Sequence, residues 1–113
     1  MQKPQKSEIQ LLHAEVCQAL ADPTRIMLLY LLAEGRKSVG ELAAALDVYQ
    51  PTVSRHLKVL RERSMVKTER FGTTVMYSIT DQRVIAALDL LRTVMTDNLL
   101  QKTALVDLLN QSS

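Results

Sequence analysis

Apolar positions recur at helical spacing along most of the chain and switch to strict alternation in one place. From Glu8, the residues Ile9, Leu12, Val16 and Leu20 return every three or four positions, which lines one face of an α-helix. Asp22-Pro23 closes this helix and opens a second, because Asp is a good N-cap and Pro suits the first turn. The second helix is expected from Pro23 to about Glu34, with Ile26, Leu29, Tyr30 and Leu32 inward and Gly35 as its terminator. Ser38 and Glu41 have the spacing of a capping box and start a third helix that runs to about Leu46. A turn around Asp47 leads to a fourth helix from Gln50. There Val53, Leu57 and Leu60 share one face, and Pro51, Arg55, Lys58 and Glu62 the other.

After Met65 the period becomes two. Val66 to Arg70 and Thr74 to Ile79 read as strands joined by Phe71-Gly72-Thr73, a β-hairpin, and Thr80 then caps a last helix from Asp81. On that helix Gln82, Asp89, Thr93 and Thr96 make a narrow polar stripe. Val84, Ile85, Leu88, Leu90, Leu91, Val94 and Met95 cover more of the circumference than one small domain has to bury. A two-fold homodimer through the first and last helices is the expected outlet for the excess. The tail from Leu99 to Leu109 is again apolar and periodic, while Asp97-Asn98 leaves open whether it continues the helix or folds back. The expected fold is mainly α with a small β-hairpin wing, a winged helix-turn-helix. Residues 1–7 are expected to be flexible, 8–97 to form the DNA-binding and dimerisation domain, and 98–113 a helical extension.

Composition narrows the class. A chain of 113 residues suits one domain with a modest core, and 47% hydrophobic residues with 4% aromatics and no Trp favours helices packed through Leu, Ala, Val and Ile. No apolar run reaches membrane-spanning length and the start lacks a signal-peptide core, so a cytoplasmic, nucleoid-associated protein without a membrane partner is expected. The single cysteine, Cys17, excludes an intrachain disulfide and a multi-thiolate metal site within one chain. Net charge is only +2, yet between Arg36 and Arg70 eight basic residues face four acids, an excess of four. That concentration is the footprint of a phosphate-binding surface.

Two short helices joined by a tight turn, the second with a polar and basic outer face, form the unit that lays a helix in the DNA major groove. Double-stranded DNA is therefore the expected partner. Arg55 can span guanine O6 and N7, Gln50 suits adenine, and Thr52, Ser54 and Lys58 can meet bases or phosphates. The helix start, with unpaired backbone N–H groups, is expected near phosphate. Arg36, Lys37, Lys67 and Arg70 are expected on phosphate, where they position rather than specify. His56 reads as a hydrogen-bonded structural histidine and Arg25 as an internal ion pair or packing residue. His13 and Cys17, four apart, share a helix face and could offer one N and one S ligand to a soft metal. Two ligands are too few without a partner, so a buried thiol beside a surface histidine is the default. No phosphate loop, His-Glu metal motif or nucleophile arrangement is present, so neither an enzyme nor a bound cofactor is expected. The competing class is a winged-helix module that binds protein or RNA.

Three segments in register, Leu20-Ala21-Asp22-Pro23-Thr24-Arg25-Ile26, Ser38-Val39-Gly40-Glu41-Leu42-Ala43 and Gln50 to Leu60, followed by the wing from Val66 to Ile79, resemble the ArsR/SmtB family of bacterial winged-helix repressors. The resemblance covers roughly residues 8–95. It implies a homodimer on an inverted-repeat operator, with the fourth helix as recognition helix, Lys67 to Tyr77 as wing, and release by an inducer. The chain departs from the family in four places. Metalloid-sensing members carry cysteines where Ser38 and Gly40 stand here, and zinc- or cobalt-sensing members carry Asp and His on the last helix, which here has no His. Tyr49 replaces a small capping residue and Ser64 a glycine. The residues leave four readings of the inducer: a small molecule, an oxidant, a metal at another site, or none at all.

Overall fold

In the computed structural model, which describes residues 2–111, helix α1 (Lys6–Leu12) opens two residues before the apolar period begins and then departs from α-helical geometry. His13–Cys17 form a π-helical turn in which the Gln18 N–H donates to the His13 carbonyl at 3.0 Å. One extra residue in the turn shifts the phase of the stripe. Ile9, Leu11 and Leu12 are exposed, and Ala19 is the fully buried residue of this segment.

Helix α2 (Pro23–Ala33) starts on the Asp22 carboxylate, which accepts the Thr24 N–H at 2.8 Å and the Arg25 N–H at 3.4 Å. Leu28, Leu29 and Leu32 are its buried residues, whereas Ile26 and Tyr30, expected inside, are half-buried. The helix packs against two elements at once, a strand and a later helix, so adjacent leucines both find cover. Gly35 ends the segment with a φ of 147°, a backbone setting that side chains disfavour.

Three strands follow, one more than expected. Strand β1 (Lys37–Ser38) pairs antiparallel with β3 (Thr74–Ile79), which pairs on its other side with β2 (Val66–Phe71), in the order β1-β3-β2. A two-residue strand is too short to carry an alternation signal, and Ser38 also serves as a helix cap. Phe71 lies opposite Thr74, so Gly72-Thr73 is a two-residue hairpin turn, and Gly72 supplies the positive φ (64°) that it needs.

Helix α3 (Val39–Leu46) has the expected capping box: the Glu41 N–H donates to Ser38 Oγ at 3.2 Å and the Ser38 N–H to Glu41 Oε1 at 3.0 Å. The Ser38 N–H, and after it the Ser38 hydroxyl, hold the Glu41 carboxyl below the usual range. Both α3 and α4 (Gln50–Glu62) end in a Schellman motif. After α3, Val48 N–H meets the Ala43 carbonyl at 3.1 Å with Asp47 left-handed (φ 52°). After α4, Met65 N–H meets the Leu60 carbonyl at 2.8 Å with Ser64 left-handed (φ 59°). Val53, Leu57 and Leu60 join Leu28, Leu29, Leu32 and Leu42 in the core, together with Met65 and the paired Val66 and Ile79 at the start of β2 and the end of β3.

The described residues divide into two compact units between Asp81 and Gln82. The second is α5 (Arg83–Gln111), a helix that passes through Asp97-Asn98 without interruption. Its first N–H bonds go to the Gln82 carbonyl, from Ile85 and Ala86, so the start lies beyond the expected Thr80 cap. Leu88 is its buried residue, and Leu90, Leu91, Val94, Leu99, Leu105 and Leu109 are exposed.

Three outcomes test this account. Leu57→Ala removes a fully buried side chain and should cost about 2–5 kcal/mol in urea unfolding. Ser64→Gly should add roughly 1 kcal/mol, because an L side chain in left-handed backbone costs about that much; an unchanged midpoint would show the turn to be unstrained. Burial raises the Asp22 pKa, but the Thr24 and Arg25 N–H bonds and the nearby His56 and Arg25 charges outweigh it and hold the carboxyl below 3.8. A depressed folded value means that this stability is complete above the unfolded value and fades as pH falls through the folded one. Asp22→Asn, which keeps a capping oxygen but not the charge, should therefore lower the neutral-pH midpoint modestly and flatten the further loss of stability below about pH 4.

Candidate nucleic-acid interface

With Val53, Leu57 and Leu60 at zero exposure, the opposite side of α4 has to face out, since successive residues turn by about 100°. Pro51, Arg55, Lys58 and Glu62 are all exposed there, with Gln50 and Ser54 exposed on one flank and Thr52 half-buried on the other. Arg55 Nη2 donates to Thr52 Oγ1 at 3.2 Å, so the hydroxyl expected to meet DNA restrains the arginine beside it. Lys58 Nζ lies 4.0 Å from Glu62 Oε1, an exposed pair too weak to hold the ammonium.

The start of α4 differs from expectation. Tyr49 occupies the cap position, with φ −53° and ψ 127°, contributes no side-chain cap, and stands 72% exposed. Its carbonyl accepts the Thr52 and Val53 N–H groups at 3.0 and 3.2 Å, and Pro51 has no N–H. With the Thr52 N–H turned to Tyr49 and Pro51 without a donor, this first turn offers an anion fewer amides than a helix start ordinarily does.

The four outlying basic residues are spread over the sheet. Lys67 and Arg70 are both exposed, but an odd spacing on one strand points them to opposite faces. Lys37 is half-buried opposite Tyr77 on β1. Arg36 lays its guanidinium over the Phe71 ring, Cζ 4.1 Å from the centroid, which leaves its N–H edge free for an acceptor. No sequence spacing announces that stack, because the two residues meet across the sheet.

Arg25 and His56 also proved to be partners. Arg25 Nε donates to the Ala19 carbonyl at 2.7 Å and Nη2 to the Gln18 carbonyl at 2.9 Å, while Nη1 lies 3.4 Å from His56 Nδ1. The same imidazole nitrogen is 4.0 Å from Asp22 Oδ1. His13 and Cys17 sit on the π-helical turn, both exposed, which corrects the expected buried thiol. Among the described residues no group of three or more His, Cys, Asp or Glu is placed to hold a metal. Nor is any helix among them long and apolar enough to cross a membrane.

Comparison with known proteins agrees with this architecture. The family model described as bacterial regulatory protein, arsR family, matches residues 22–68, from the α2 cap to the start of β2. The biofilm growth-associated repressor of Agrobacterium fabrum is 41% identical over 78 residues, which are 69% of this chain and 67% of that protein. The transcriptional repressor SmtB homolog of Synechocystis is 43% identical over 72 residues, 64% of this chain, and the match spans about half (54%) of that relative's length. Among solved structures, a homodimeric winged helix-turn-helix DNA-binding domain from Mycobacterium bovis superposes with a TM-score of 0.71 at 30% identity, over 86% of this chain and 90% of that one. Helix order, strand order and an outward polar α4 thus coincide with sequence identity, and the chain belongs to the ArsR family of bacterial regulatory proteins.

Proposed function

We propose that this chain is a transcriptional repressor that binds an inverted-repeat operator as a homodimer, with one α4 in each of two major grooves about 34–36 Å apart. The observation that carries the reading is the outward face of α4, held there by three wholly buried residues. Arg55, steadied by Thr52, suits guanine. Gln50 suits adenine, and Ser54 and Lys58 reach bases or the adjoining backbone. Arg36, Lys37, Lys67 and Arg70 serve phosphate. The repressors among the relatives and the homodimeric mycobacterial domain support the same reading. Exposed Ile9, Leu11 and Leu12 on α1 and Leu90, Leu91 and Val94 on α5 supply apolar surface for a two-fold partner.

In this reading residues 8–97 serve DNA binding and dimerisation and 98–113 are a C-terminal extension, helical to Gln111 with its last two residues outside the described ones, in a protein working at the nucleoid in the cytoplasm. Release follows when an effector binds better to a dimer whose α4 spacing no longer matches the groove repeat.

The test is selection of duplexes from a randomised pool by the purified protein, followed by salt titration and sedimentation. A dimer should select an inverted repeat, and log affinity should fall with log salt by about 0.9 per phosphate neutralised. Arg55→Ala should lose roughly 1–3 kcal/mol of discrimination at one base pair per half-site. Sequence-blind binding by a monomer would instead identify a protein- or RNA-interaction module.

A further inference from the structure

The polar network between the Gln18-Ala19 turn, α2 and α4 has a role that folding alone does not require. Arg25 engages all three guanidinium nitrogens: two on the carbonyls of Gln18 and Ala19 that end the α1 segment, the third toward His56 on the DNA-facing helix. Asp22 fixes the base of this arginine by accepting the Arg25 N–H, and lies 4.0 Å from the same His56 nitrogen. A second tie joins the same two segments lower down, where Arg63 Nη1 meets Glu15 Oε1 at 3.4 Å. The α1 end of both ties belongs to the segment whose Ile9, Leu11 and Leu12 are exposed. His56 directly follows Arg55, so a rotation of α4 that moves the imidazole also moves the guanidinium assigned to the base edge.

The geometry points to Arg25 and His56 as positioning residues that set the direction of α4 from the Gln18-Ala19 turn that follows α1 and the π-helical stretch, so that the packing of this N-terminal segment in the dimer decides where Arg55 meets the groove. The inference rests on the operator-binding reading above. Neither residue touches DNA. With Nδ1 unprotonated, His56 accepts the Arg25 N–H; glutamine, whose flexible side chain is one bond longer, can fold its amide oxygen back to the same donor, whereas leucine cannot accept. Arg63 and Glu15 are a partly exposed pair and contribute less than the Arg25 network.

The 113-residue wild type and the variants Arg25→Met, His56→Leu, His56→Gln and Arg25→Met/His56→Leu are compared on the duplex that the wild type selects from a random pool and on a scrambled duplex. Thermal melts and hydrogen exchange are recorded without DNA. Arg25→Met and His56→Leu should each weaken the selected duplex about tenfold, with an unchanged salt slope and less than about a twofold effect on the scrambled one. The double variant should be no worse than the weaker single, and His56→Gln should recover most of the loss. Exchange should rise across α4 in both single variants relative to His56→Gln at matched melting temperature. If Arg25→Met fails to fold, the leucine and glutamine pair at His56 decides alone. A shallower salt slope would make Arg25 a phosphate contact and overturn the inference, as would additive losses, or equal affinity and exchange for His56→Leu and His56→Gln. Should the wild type select no duplex, the operator reading fails first and this inference with it.

Discussion

The burial of Val53, Leu57 and Leu60 is the constraint on which the rest of the candidate interface depends. Each such side chain is worth about 1.5–3 kcal/mol when taken out of water. A third of a turn in α4 would expose them and drive Arg55 or Lys58 into a core that, among the described residues, contains no buried polar or charged side chain. No interaction on the outer surface is large enough to compete with that. The polar face is therefore aimed by the apolar one, and its residues are free to be chosen for what they meet outside. Schellman turns at Asp47 and Ser64 then fix where the chain enters and leaves this packing, one of them at the cost of a left-handed serine.

Hydrophobic anchoring sets which side of α4 faces out, but it leaves the helix some freedom to slide and tilt about its buried stripe. Polar contacts act on that remainder. Thr52 restrains Arg55 within the helix, and His56 and Arg63 connect it to the end of the α1 segment through Arg25 and Glu15. The start of α4 is looser: a side-chain cap there is usually worth about 1 kcal/mol, and this helix begins without one, behind an exposed Tyr49. Stability is thus concentrated in the middle of the helix and at its C-terminal turn. At the other extreme, α1 and α5 carry apolar residues that the single chain leaves in water, an arrangement that favours association with a second copy.

Helix identity, the capping box, the Gly72 turn and the inward set of α4 were all legible in the residues, since each depends on neighbours within four positions. The same holds for the exposure of Gln50, Ser54, Arg55 and Lys58. Less was readable wherever the deciding partner lay far along the chain. Leu28 is inside because α2 has two neighbours, and periodicity along α2 describes one side only. Strand β1 exists because β3 lies beside it, and Lys67 and Arg70 part company because the pleat sends them apart.

The π-helical turn at His13–Cys17 and the uninterrupted passage of α5 through Asp97-Asn98 mark a second boundary, since apolar spacing tolerates either outcome and backbone hydrogen bonding selects one. Local pattern thus decides which segments coil and which flank is greasy, because a side chain and its neighbours one turn away share a surface whatever else the chain does. The partners of Arg25, of His56 and of Arg36 were settled by folding. A guanidinium reaches several ångströms beyond its backbone, and what it finds there depends on elements that come from tens of residues away.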